Sequence, residues 1–194
     1  MIVVKNPLPR LTRRRFLSAL LLLALVLAVA VPVFYYWALQ RSDAHQRWQI
    51  ESNYASQFGF QMGYAASLIA GIPFKWDNAT GSFAGNEMGY ADDSLVYISY
   101  FDTTHANQIL RINYAIEGIR PQIPVANLSY SQRTSLSGQL QTLAVKIEKA
   151  YSNFVNYTST SPAVGPPFWY SGPSPPDERL LQEAVDVALS LNLG

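Results

Sequence analysis

Asp102 and His105 come closest to a chemical constellation in this chain. Three residues apart on a helix, they would share a face, where a carboxylate can orient an imidazole for acid–base or ligand work. The chain holds two histidines, the other being His45, and no cysteine. Thiolate metal sites, disulfides and cysteine nucleophiles are therefore excluded. A two-metal helical site wants two acid-x-x-His pairs with further carboxylates, and only one pair is present. Asp102 is expected to orient a packed or rim-facing imidazole. Glu148, Glu183 and Asp186 form another acidic set, read as solvated. No Gly-x-Ser-x-Gly, Ser-x-x-Lys, phosphate-binding glycine loop or His-Glu-x-x-His occurs. The expectation is a protein that is not an enzyme, with no catalytic residue, metal ligand or cofactor assigned.

The elements that would position these residues begin with an uncharged stretch from Phe16 to Leu39. As a helix it reaches about 36 Å, against a hydrocarbon core of about 30 Å. Its Leu, Val and Phe residues favour insertion by about −4 to −8 kcal/mol. A membrane helix tolerates a proline such as Pro32. Phe34, Tyr35, Tyr36 and Trp37 read as an aromatic belt at one interface. A cleaved signal peptide is the competing reading, through Ala28-Val29-Ala30, but the apolar run exceeds the usual ~7–15 residues. Thr12-Arg13-Arg14-Arg15-Phe16-Leu17-Ser18 resembles the twin-arginine export pattern.

Charge sets the expected orientation. Residues 1–15 carry Lys5, Arg10, Arg13, Arg14 and Arg15 with no acid, while the remainder carries all 13 acidic residues. The positive-inside rule places the N-terminus in the cytoplasm and residues 40–194 outside the cell membrane. The basic leader suits anionic lipid, and the acidic remainder argues against nucleic acid. Asn78, Asn127 and Asn156 head three sequons and are candidate glycosylation sites.

The outer residues read as helices. Ala44, Trp48, Ala55, Phe58, Met62, Ala65 and Ile69 recur at three- and four-residue spacing, which continues the membrane helix to residue 70. Ala55, Gly59, Gly63, Ser67 and Gly71 fall every fourth residue and form a groove for another helix, within the domain or from a second copy. No charge lies between Glu51 and Lys75, but Ser52, Asn53, Ser56, Gln57 and Gln61 make a second membrane pass poor. Residues 71–90 read as an aromatic loop. Asp92 or Asp93 caps a second helix running to Gly118, with Leu95, Ile98, Phe101, His105, Ile109, Ile112, Ile116 and Ile119 as its stripe and Tyr97, Tyr100 and Tyr114 widening it. Ser129-x-x-Gln132 is a capping box, followed by a seam of Leu136, Leu140, Leu143, Ile147, Ala150, Phe154 and Tyr157. Residues 158–176 form a proline-rich strap around Phe168, Trp169 and Tyr170. Ser174 starts the last helix, with Leu181, Ala184, Ala188 and Leu191 inward.

A basic leader, an apolar half-helix and an amphipathic continuation over residues 10–70 resemble the type IV pilins. Arg15 stands where that family has Gly or Ala before the apolar run, and Leu20 where many bacterial members have Glu. The resemblance implies a filament subunit with a strand-rich head.

The resulting expectation is a mainly α protein: residues 1–15 cytoplasmic, 16–39 a single transmembrane helix, and 40–194 an extracytoplasmic bundle of about four helices. Its expected role is structural, as an interaction subunit for another membrane or envelope protein or for self-association. Gly59, Gly63, Ser67, Phe168, Trp169 and Tyr170 are the interaction candidates. A ligand-binding sensor domain and a pilin-like subunit are the alternatives.

Overall fold

The computed structural model describes residues 13–71, 75–152, 175–191 and 193. Among them are five α-helices, one 3-10 turn and no strand. The helices are α1 (Arg13–Ala70), α2 (Asn78–Phe101), α3 (Ala106–Ile119), α4 (Tyr130–Tyr151) and α5 (Glu178–Leu189), with the 3-10 turn at Arg120–Gln122. The chain divides into two compact units, residues 1–43 and 44–194, and α1 contributes to both.

In the first unit, every side chain from Phe16 to Leu39 is exposed. This stretch makes α1 long and apolar enough to cross a membrane, the one such helix among the described residues. Pro32 lies inside the helix without ending it. The Phe34 and Trp37 rings are 5.7 Å apart, and the Arg41 guanidinium stands 4.0 Å from the centre of the Trp37 ring, within cation–π reach.

In the second unit, the apolar stripes meet in one core. Phe58, Met62 and Ile69 of α1 are fully buried with Met88, Leu95 and Ile98 of α2 and Ile109, Ile112 and Ile116 of α3. Leu136, Leu140, Leu143 and Ile147 of α4 join them, as do Leu181 and Ala184 of α5. Side chains of this size each contribute about 1.5–3 kcal/mol when fully buried. Helix α2 packs on α3, α3 on α5, and α5 on α4. Helix α1 enters the same core, and its Tyr54 ring stacks on Tyr97 of α2 at 4.8 Å. It ends at Gly71, whose φ of 84° lies in the left-handed region that glycine occupies without a Cβ penalty.

Several expected boundaries move. Most of the loop expected over residues 71–90 is helical. Asp77 caps α2 by accepting from the Thr80 amide at 2.7 Å, and neither Asp92 nor Asp93 is a cap. Gly81, Gly85 and Gly89 give this turn-rich composition a helical purpose, because their missing side chains admit the chain at residues 120–124. A Cβ on Gly81 would stand 3.1 Å from Pro124 Cα and 3.2 Å from the Ile123 carbonyl oxygen. The single helix expected over residues 93–118 is two helices, broken at Asp102–His105. Tyr97, Tyr100 and Tyr114 do not widen the buried stripe; all three are exposed.

The capping box of α4 forms as expected. Gln132 Oε1 accepts from the Ser129 amide at 2.9 Å, and the Ser129 hydroxyl accepts from the Gln132 amide. Helix α5 is capped by Asp177, which accepts from the Arg179 and Leu180 amides, rather than started by Ser174. The seam residues Phe154 and Tyr157, Ser174, and most of the strap lie outside the described residues. The strand-rich head implied by the pilin resemblance has no counterpart among the described residues.

Candidate functional site

The break between α2 and α3 builds the most elaborate polar site among the described residues. Asp102 is the C-cap of α2, with its backbone turned out of the helix at φ −92° and ψ 77°. Its side chain reaches forward instead of capping its own helix. Oδ1 accepts from the His105 amide at 3.1 Å, and the ring Nδ1 of His105 approaches both carboxylate oxygens, at 3.0 and 2.8 Å. Across the core, the hydroxyl of Tyr151, the last residue of α4, donates to Asp102 Oδ2 at 2.7 Å. One buried carboxylate thus receives three donors from two other elements. A buried charge needs such compensation to be tolerated.

Tyr151 is fully buried and loses its proton with great difficulty, because burial and the Asp102 charge both oppose a phenolate. It is therefore a donor here. The imidazole is 8% exposed, and its far nitrogen, Nε2, has no hydrogen-bond partner among the described residues. Glu178 Oε1, from the first turn of α5, lies 3.8 Å from that nitrogen. Glu51 of α1 completes the surroundings. Burial first, and the Asp102 charge second, push its carboxyl up to about 7, opposed by Arg47 and His105. All five helices or their caps therefore supply a side chain to one junction. Among the described residues, no group of three or more acid or imidazole side chains is placed to hold a metal ion.

A second buried acid lies between α2 and α3. Asp92 is 4% exposed and accepts from the Asn113 side-chain amide. Arg120 Nη1 approaches its other oxygen at 3.7 Å. Burial, with Glu117 next, pushes the Asp92 carboxyl up to about 6, while Arg120 and Asn113 pull it back.

The residues singled out from the sequence fall in different places. Gly59 is buried, and a Cβ there would meet the Glu148 carboxylate of α4 at 3.1 Å. At Gly63, a Cβ would meet nothing within 4 Å, so no neighbour in the described domain fills that part of the groove. The Ser67 hydroxyl donates to the Gly63 carbonyl at 3.0 Å. Asn78 is the first residue of α2 and Asn127 precedes the cap of α4; both are exposed. Phe168, Trp169, Tyr170 and Asn156 lie outside the described residues. Of the acids expected to be solvated, Glu183 is held by the Lys146 ammonium and has its carboxyl lowered by that bond, and Glu148 packs over Gly59. Asp186 is exposed and accepts from Gln182 at 3.0 Å.

Beside the open Gly63, Phe60 is 75% exposed and Tyr64 is also exposed. Asn53, Ser56, Gln57, Phe60 and Gln61 line a shallow depression along this face. Helix α2 carries Phe83, Tyr90 and Tyr97 at seven-residue spacing, all exposed, and Tyr100 beyond them.

The sequence pointed to the Asp102–His105 pair but not to Tyr151, Glu51 or Glu178, which lie far away along the chain and carry no local signal of their role. The four-residue spacing of Gly81, Gly85 and Gly89 was a legible signal for close approach to α2. Comparison with protein-family profiles, with curated proteins and with solved structures gave no match to the chain.

Proposed function

We propose that the chain is a membrane-anchored interaction subunit: N-terminus in the cytoplasm, residues 16–39 in the bilayer, and a helical bundle outside that docks on another membrane or envelope protein. The observation that carries this reading is the set of exposed aromatic side chains on α1 and α2. Phe60 and Tyr64 stand exposed beside the unfilled space at Gly63, and Phe83, Tyr90 and Tyr97 stand exposed along α2. Aromatic side chains bring large contact area at low entropic cost and are enriched in interface cores. Helix glycine costs about 1 kcal/mol relative to alanine, and nothing in the described domain uses the space at Gly63. Close approach of a partner helix gives that space a use. The charge split between residues 1–15 and the remainder supports the orientation.

Photo-crosslinking from position 60 in native membranes tests this reading, with position 141 on the outer face of α4 as control. The expected result is a defined adduct from position 60, either to another membrane protein or to a second copy, and none from 141. No adduct from position 60, or equal labelling from both positions, would overturn it.

A further inference from the structure

Helix α1 buries one side of its outer half and leaves the other bare. Phe58, Met62, Ala65 and Ile69 enter the core. On the opposite side, Gln46, Ile50, Asn53, Gln57, Phe60, Tyr64 and Ser67 recur at alternating intervals of four and three, and none of them is buried. Asn53, Gln57, Phe60 and Tyr64, at the centre, are all exposed. This alternation is the spacing of a coiled-coil seam, whose residues face a partner helix. No described helix of the chain covers it. Gly63 lies beside the seam, where a Cβ would meet nothing within 4 Å.

The chemistry of the seam selects its occupant. No charged residue lies between Glu51 and Lys75, whereas the outward side of α5 carries Glu178, Arg179 and Asp186. A partner with a charged face finds no counter-charge here. A two-fold contact between parallel copies sets each seam residue against its own counterpart. A charged residue would then repel itself. Asn53 and Gln57 are suited to that arrangement, because an amide carries both donors and an acceptor and pairs with another amide. Phe60 and Tyr64 pack ring on ring.

The membrane supplies the direction. With the N-terminus inside and residues 16–39 in the bilayer, all copies share one orientation, so two seams meet parallel. Confinement to one membrane also raises their effective concentration. We infer that the Gln46–Ser67 side of α1 is a homotypic contact, on which a second copy of the chain docks parallel and in register. This rests on the reading of the exposed α1 side chains as a docking surface and names their partner. It leaves Phe83, Tyr90 and Tyr97 of α2 to a different protein.

The chain has no cysteine, so a single introduced thiol reports one position. Full-length Gln57→Cys and Phe60→Cys are oxidised in native membranes beside two exposed controls, Gln141→Cys on α4 and Asp186→Cys on α5. Disulfide-linked dimer is expected at both seam positions at several times the control yield. Equal yields at seam and control positions, or no dimer at the seam, overturn the contact. Register is tested by charge exchange in the Phe60→Cys background. Gln57→Lys in both copies should cut the dimer yield several-fold, and pairing a Gln57→Lys copy with a Gln57→Glu copy carrying a different tag should restore it. Like and unlike pairs that link equally well overturn the parallel register. The photo-adduct from position 60 separates this inference from the reading beneath it. An adduct holding only a different protein keeps the docking surface and overturns the homotypic contact, whereas no adduct of any kind removes both.

Discussion

The Tyr151 hydroxyl donates to Asp102 Oδ2 at 2.7 Å, joining the end of α4 to the cap that ends α2. That bond crosses the core between residues with no neighbouring chain, and it explains why a tyrosine ends α4 fully buried. Tyr151→Phe keeps the ring and removes one donor from a buried carboxylate. A hydrogen bond to a charged group is worth about 1.5–3 kcal/mol, and a loss of that size is expected in chemical unfolding of the full chain in detergent. A loss below about 0.5 kcal/mol would show that the Asp102 carboxylate does not depend on this donor.

Asp92 provides a pH test. Its carboxyl is pushed up to about 6 from an ordinary 3.8, chiefly by burial. In that window the folded chain binds more protons than the unfolded one, so stability is fully present below pH 3.8 and falls as pH rises through 6. Asp92→Asn keeps an acceptor for Asn113 and cannot ionise. Melting temperatures from pH 4 to 6.5 should fall less steeply in the variant. Parallel curves for the two proteins would contradict the assignment of that titration to Asp92.

Two glycines on helices should respond oppositely to alanine. At Gly81 a Cβ would press on the backbone of Ile123 and Pro124, at 3.2 and 3.1 Å, and backbone cannot swing aside. Overpacking costs about 1–3 kcal/mol, against a gain of about 1 kcal/mol in helix propensity, so a net loss is expected. At Gly63 the space is open, and Gly63→Ala should gain close to the full ~1 kcal/mol. Gly63→Leu should leave the domain as stable as wild type while weakening association in the membrane. If Gly63→Leu instead destabilises the isolated chain, the space is filled from within the protein.

Orientation is testable through a reporter fused after Gly194. The orientation proposed from the five basic residues of the first 15 and the acidic balance of the rest predicts a reporter outside the cell. A reporter found active only in the cytoplasm would reject the single outward pass.

The sequence by itself determined the helical class and the membrane-length segment, because both are written in local patterns. An uncharged run from Phe16 to Leu39 needs no partner to be legible, and the spacing of Leu136, Leu140, Leu143 and Ile147 marks an inward face wherever the helix packs. The Ser129–Gln132 capping box was equally readable, since both residues act within one turn. Tertiary structure decided what local patterns leave open. Periodicity ran straight through Asp102–His105, because the stripe from Leu95 to Ile119 continues in phase; the helix breaks there, and the Asp102 carboxylate at the break is held by His105 and by Tyr151, 49 residues further along the chain. Glycine content made residues 78–90 look like a loop. In the folded chain those residues are helical, and Ile123 and Pro124 pack closely against Gly81. Exposure of Tyr97, Tyr100 and Tyr114 was undecidable from spacing, since a tyrosine beside an apolar stripe packs inward or outward according to which helix arrives next to it.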